Sequence, residues 1–121
     1  CPLTAATAGM VDAAFVERLR PGTILVNTAR GRLIASLDVL ERGLRRGRLA
    51  GVGLDVLPEE PPRPHPLLDA WRRREPWLDG RFVVMPHNAF YSDAAWSELR
   101  VKAAETAWLY LERGTLRNGV P

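Results

Sequence analysis

The chain has 121 residues, enough for one domain or part of one, and 46% of them are apolar, which supports a small core. Its 17 basic residues exceed its 14 acidic ones by only three, and Lys102 is the sole lysine, so the balance excludes the strongly basic surface of a nucleic-acid binder. The single cysteine, Cys1, rules out an internal disulfide and suits a reducing, cytoplasmic setting, and no apolar run approaches the roughly 20 residues that cross a bilayer.

The start Cys1-Pro2-Leu3-Thr4 lacks the basic and apolar regions of a signal peptide, and the absence of an initiator methionine suggests a piece of a longer product. Asp12 is placed to cap a helix with apolar positions Phe15, Val16 and Leu19, which Pro21-Gly22 ends. Thr23 to Asn27 reads as a buried, uncharged strand. Ser36 is placed to accept the unpaired N–H groups of a helix whose stripe is Leu37, Leu40 and Leu44. Asp38 in its first turn and Arg42, Arg45 and Arg46 in its last suit the helix dipole, and Gly47 fits a left-handed stop. Leu49 to Val56 reads as a second buried strand.

Leu57 to Gly80 is irregular, because six prolines between Pro58 and Pro76 interrupt any long element, although Leu67 to Arg73 can form one or two helical turns. Arg81 to Met85 reads as a third strand. A last helix runs from about Ser92 to about Arg113, with Trp96, Leu99, Ala103, Ala107 and Tyr110 on its expected buried face and Gly114 as its stop. Helices alternating with strands argue for an α/β parallel sheet. Three strands make a thin sheet, and parallel strands need cover on both faces, so the chain is expected to belong to a larger sheet.

Each apolar run ends in a chemically useful side chain. Arg30 follows the first strand, Asp55 and then Glu59-Glu60-Pro61 follow the second, and His87 follows the third. Ligands of open parallel sheets bind outside the carboxyl ends of the strands, so these groups can converge. A guanidinium matches a carboxylate in two parallel hydrogen bonds. Imidazole exchanges a proton near neutral pH, and a carboxylate beside it favours its charged form. Each also has a plainer reading: a surface arginine in a turn, a hydrogen-bonded structural histidine, a solvated acidic loop. His65, between Pro64 and Pro66, is read as structural. The arginines at 42, 45, 46 and 48 and at 72–74 are read as helix-end and loop cations, not as a nucleic-acid patch. Trp71 and Trp77 beside the second group fit either a lid or a subunit contact.

At these residues the sequence resembles the D-isomer-specific 2-hydroxyacid dehydrogenases. The matching segments are Cys-Pro-Leu-Thr at 1–4, Ile-Leu-Val-Asn-Thr-Ala-Arg-Gly at 24–31, Leu-Asp-Val at 54–56, Glu-Glu-Pro at 59–61, His-Pro-Leu at 65–67 and Pro-His at 86–87. The resemblance implies a doubly wound, Rossmann-type parallel sheet with a long C-terminal helix. Residues 1–121 would form the C-terminal portion of a dinucleotide-binding domain, with a return helix at about 92–113. The N-terminal half of that domain and the substrate domain would be absent.

It further implies an oxidoreductase moving a hydride between NAD(H) and a small D-2-hydroxy or 2-oxo acid, active within a longer parent and inactive as an isolated piece. Arg30 would bind substrate carboxylate, and His87 paired with Glu60 would be the acid/base couple. Asp55 would hold the nicotinamide carboxamide. Cys1, Thr28, Ala29, Arg30, His87, Asn88 and Ala89 would line the nicotinamide side, Phe90 the substrate side, and no metal is expected. NADP stays open beside NAD, because the ribose-reading segment is not among these residues. A homodimer is implied, and neither nucleic acid nor membrane is an expected partner.

The sequence also departs from the family. Arg32 stands where a second glycine is usual, Ala35-Ser36 where an acidic helix start is common, and the stretch from Asp69 to Gly80 is longer than the usual link. Phe90 is similar to the aromatic of the C-terminal-binding-protein branch. It keeps open an alternative, a dimeric NAD-sensing corepressor-like protein without a dedicated metabolic reaction.

Overall fold

A computed structural model describes residues 1–117. It divides into two compact units, Cys1–Ala89 and a second beginning at Phe90. The first unit holds helix α1 (Ala13–Arg18), strand β1 (Thr23–Asn27), helix α2 (Leu37–Arg45), strand β2 (Leu49–Leu54), helix α3 (Pro66–Arg72) and strand β3 (Phe82–Val84). Short 3-10 turns cover Gly31–Leu33 and Pro76–Leu78. The second unit is built on helix α4 (Asp93–Arg113).

The three strands are parallel in the order β1-β2-β3. Leu25 pairs with Val52 and Val52 with Phe82, and this row faces the core with Leu54. Leu40 and Leu44 of α2 and Leu67 and Leu68 of α3 pack on it, all essentially without solvent exposure. Trp71 meets Phe82 of the core in a T-shaped contact, with ring centroids 6.5 Å apart.

Capping follows the sequence in most places. The Asp12 carboxylate accepts the Phe15 N–H at 2.7 Å, and Gly47 is left-handed just after α2. His65 is structural, as expected: its Nδ1 accepts the Leu67 N–H at the start of α3, while Nε2 lies 3.2 Å from Asp38. Ser92 caps α4 through the Ala95 N–H, and Gly114 closes it at φ 62° with its N–H on the Tyr110 carbonyl.

Four expectations need correction. Ser36 takes the cap position of α2, but its side chain makes no capping hydrogen bond. The second strand ends at Leu54, before Val56, and the third spans Phe82–Val84, though Arg81 and Met85 still bond to β2 through their backbones. β1 is buried on one face only: Ile24 and Val26 are 69% and 67% exposed, because the helices of this unit cover a single side of the sheet. Finally, α4 buries no residue among those described, so Trp96, Leu99 and Tyr110 are exposed instead of forming a core face; Val101 and Trp108 lie outside that stripe.

One core-anchoring residue was not evident from the sequence. Arg81 spreads its guanidinium over four backbone carbonyls, those of Leu44, Leu49, Ala50 and Trp77, at 2.9–3.0 Å. The Leu44 carbonyl belongs to the last turn of α2, where helices leave acceptors unpaired and favour a cation. Arg81→Met should therefore lower the free energy of unfolding by about 2–3 kcal/mol, read as a lower urea midpoint at an unchanged denaturant slope.

Candidate active site

The carboxyl ends of the three strands are tied together before any side chain acts as a ligand. At the end of β1, Asn27 is 8% exposed and closes the next turn, with its amide accepting from Ala29 N–H at 3.1 Å and donating to the Arg30 carbonyl at 2.9 Å. Arg30 leaves this turn extended and exposed, with one N–H on the Ala29 carbonyl. Gly31 then passes so close to the loop after β2 that a Cβ there would stand 1.8 Å from the Leu57 carbonyl oxygen. Only glycine permits this approach.

Past β2, Asp55 is 5% exposed and bonds in four directions. Its N–H donates to the Asn27 carbonyl and its own carbonyl accepts the His87 N–H. Its carboxylate oxygens accept the N–H groups of Asn88 at 2.8 Å and Ala89 at 3.0 Å. A buried carboxylate needs such donors. They fix the loop after β3, in which His87 holds a left-handed backbone at φ 54°.

His87 Nδ1 lies 2.8 Å from one oxygen of Glu60, and the other oxygen accepts the Leu57 N–H at 2.9 Å. These contacts, the backbone bond foremost and the His87 bond second, hold the Glu60 carboxyl below the ordinary glutamate range. Glu59 turns away and pairs with Arg63 at 3.0 Å. Arg30, Glu60 and His87 line one cleft of about 190 Å³, which Leu3 also borders. A guanidinium and a carboxylate–imidazole pair thus face a common space at the carboxyl edge of a parallel sheet.

The other candidates are distributed unevenly. Asn88 and Ala89 follow His87 with their N–H groups turned to Asp55, and Ala29 sits in the Asn27 turn. Thr28 and Cys1 are exposed and do not line the cleft; the Cys1 thiol donates to the Pro2 carbonyl at 3.5 Å. Phe90 opens the second unit and is exposed. Among the described residues, no group of three or more His, Cys, Asp or Glu is placed to hold a metal, and no helix is long and apolar enough to cross a membrane. Asn27 and Gly31, which organise the site, carried a sequence signal only as the polar end of an apolar run and the small residue after Arg30.

For a nicotinamide cofactor, this donor set fits the reactive end. The phosphate end is another matter: Gly51 and Gly53 lie inside β2, not in a strand-to-helix turn, so they form no phosphate cradle.

The model for the NAD-binding domain of D-isomer-specific 2-hydroxyacid dehydrogenases matches residues 1–89, and the chain belongs to this family. It is 39% identical over 88 residues to a formate dehydrogenase of Neurospora crassa, an alignment covering 72% of this chain and 22% of that protein. Its fold matches a D-lactate dehydrogenase of Treponema pallidum with a TM-score of 0.78 at 27% identity, over 99% of this chain and 38% of the other. A D-isomer-specific 2-hydroxyacid dehydrogenase of Xanthobacter autotrophicus, solved with NADPH, gives 0.73 at 28% identity, over 100% and 46%. The fold is thus the Rossmann-type α/β sheet of these dehydrogenases. The chain spans between 22% and 29% of the length of the first curated relatives it matches.

Two tests address the site directly. Gly31→Ala should push apart the loops after β1 and β2 and cost about 1–3 kcal/mol or more in urea unfolding. Because the Glu60 carboxyl is depressed in the folded state, its stabilising contribution is complete above the unfolded-state value and lost as pH falls through the folded one. A carbon-13 NMR titration of the Glu60 carboxyl should accordingly give a midpoint below that of a glutamate in a short peptide.

Proposed function

We propose that this chain supplies the catalytic edge of an oxidoreductase that moves a hydride between NAD(H) and a D-2-hydroxy or 2-oxo acid. The observation that carries the reading is the single cleft shared by Arg30 and the Glu60–His87 pair. Residues 1–121 would form the C-terminal portion of the dinucleotide-binding domain, with the phosphate turn and the substrate domain supplied by other segments of a longer parent.

In the reducing direction, Arg30 binds the C1 carboxylate through its planar fork and orients the neighbouring carbonyl towards His87. Glu60 accepts a hydrogen bond from Nδ1–H, which fixes the tautomer and directs Nε2 at the substrate oxygen. The hydride that reaches C2 comes from NADH, which is oxidised to NAD⁺ as the carbonyl is reduced. As the C–O π bond breaks, His87 delivers its proton to the oxygen and the 2-hydroxy acid results; oxidation runs the same steps backwards. Asp55 keeps His87 in place through the loop backbone and would also hold the nicotinamide carboxamide, while Ala29, Asn88 and Ala89 would border the nicotinamide, with Thr28 and Cys1 further out. Phe90 would bear on substrate size.

The named dehydrogenases among the relatives support this reading over the corepressor-like alternative. A homodimer in a reducing cytoplasm completes it, and the exposed Trp96, Leu99, Trp108 and Leu111 of α4 are suited to contact between polypeptides.

The test uses the natural full-length polypeptide. His87→Ala should lower turnover of 2-oxo acids with NADH by about 10²–10⁴-fold while NADH binding, followed by its fluorescence, survives. Glu60→Gln should lower turnover less, because the imidazole keeps a partner at Nδ1 but loses the carboxylate that orients it. Undiminished turnover in His87→Ala would exclude the assigned role.

A further inference from the structure

Glu60 and His65 stand at the two ends of a short, stiff arm. Of the residues between them, Pro61, Pro62 and Pro64 are prolines with restricted backbones, and Arg63 pairs with Glu59 at 3.0 Å. A displacement at one end is therefore carried to the other instead of being absorbed on the way. The Glu60 end is held by the Leu57 N–H and His87. The far end is tied by the His65 side chain, which joins the arm to α2 and to α3.

This tie depends on where the imidazole carries its hydrogen. Pro66 has no N–H, so the first donor of α3 is the Leu67 N–H, which His65 Nδ1 accepts at 3.1 Å. A ring nitrogen that accepts bears no hydrogen, so the neutral ring has its hydrogen on Nε2, 3.2 Å from the Asp38 carboxylate in the first turn of α2. The neutral ring satisfies both contacts. The imidazolium cannot, because its second N–H points at the Leu67 N–H, donor against donor. Solvent reaches the ring: its side chain is 18% exposed and borders a hollow of about 250 Å³. The charged groups around it are Asp38 from α2, Glu59 and Arg63 from the arm, and Asp69 from α3. Glu59 and Arg63 pair with each other and Asp69 pairs with Arg72, while Asp38 is largely open to water and holds a positive ring only weakly.

We propose that His65 is a pH-gated latch on the arm that carries Glu60: neutral, it ties the arm to α2 and caps α3; protonated, it gives up the cap and loosens the arm. His65 is thereby a positioning residue for Glu60, acting through the arm and touching neither ligand nor His87. The latch itself is independent of the reaction. Its effect on turnover rests on the oxidoreductase reading above, because only there does the Glu60–His87 contact serve a chemical step.

The experiment follows amide hydrogen exchange by mass spectrometry in the natural full-length polypeptide, from about pH 8 down to about pH 5.5, with rates corrected for intrinsic exchange. Protection of the segment from His65 to Arg72 should fall about five- to tenfold on acidification, the loss expected of one helix cap, while that of Leu49–Leu54 in β2 stays constant. His65→Asn supplies a cap oxygen that does not titrate, so its protection should be independent of pH. Asp38→Asn keeps an acceptor for Nε2–H and should leave the response in place. A wild type without the response, or a His65→Asn variant that retains it, overturns the latch, as does its disappearance in Asp38→Asn. For the coupling to Glu60, the ratio of 2-oxo acid turnover at about pH 6 to that at about pH 8 should be about two- to threefold higher in His65→Asn than in the wild type. Equal ratios beside the expected exchange overturn the coupling. Undiminished turnover in His87→Ala overturns the oxidoreductase reading and leaves the latch standing.

Discussion

Asp55 is the residue on which the site depends. Through two backbone bonds and two carboxylate bonds it joins the end of β1, the end of β2 and the loop after β3. All of these contacts lie within the chain itself. Their effect is to hold three segments, far apart in sequence, in one arrangement at the edge of the sheet. Burial makes the arrangement stiff, because a carboxylate shielded from water cannot exchange its amide donors for solvent without a large cost. The left-handed backbone of His87 is kept in the same way, by its own N–H and those of Asn88 and Ala89, all donated to Asp55.

The charged groups above this frame work under different conditions. Arg30, Glu60 and His87 are partly open to water, where an isolated ion pair contributes little to stability. The Glu60–His87 contact is therefore better understood as positioning than as a strut: the Leu57 N–H fixes one carboxylate oxygen and leaves the other to set the imidazole. Gly31 places Leu57 within reach. The chain from Gly31 to Leu57 to Glu60 to His87 links the turn carrying the guanidinium to the imidazole ring.

Much of this was legible in the sequence. The alternation of helix and strand, the caps at Asp12 and Ser92, the stop at Gly114 and the structural role of His65 are local signals, set by side chains within a few residues of the backbone groups they serve. Arg30 and His87 stood out because each follows an apolar run, whereas the choice of Glu60 over Glu59 came only from the family resemblance. What escaped was non-local. Arg81 finds its carbonyls up to 37 residues away, and the need for glycine at 31 arises from a backbone segment on another loop. The expected burial of β1 and of α4 failed for a related reason. An apolar stripe records that a face suits a nonpolar neighbour, and no periodicity states whether this chain provides one.

The uncovered side of the sheet has a relief of its own. Gly51 and Gly53 of β2 lie between Ile24 and Val26 on one side and Val83 on the other. The middle strand therefore presents bare backbone flanked by branched side chains: a furrow one strand wide between two ridges. Any layer laid against it comes nearer to the central strand than to its neighbours, and a bulky side chain pointing inward has a single lane to occupy. Shape, and not oiliness alone, thus dictates how a covering layer aligns along that surface.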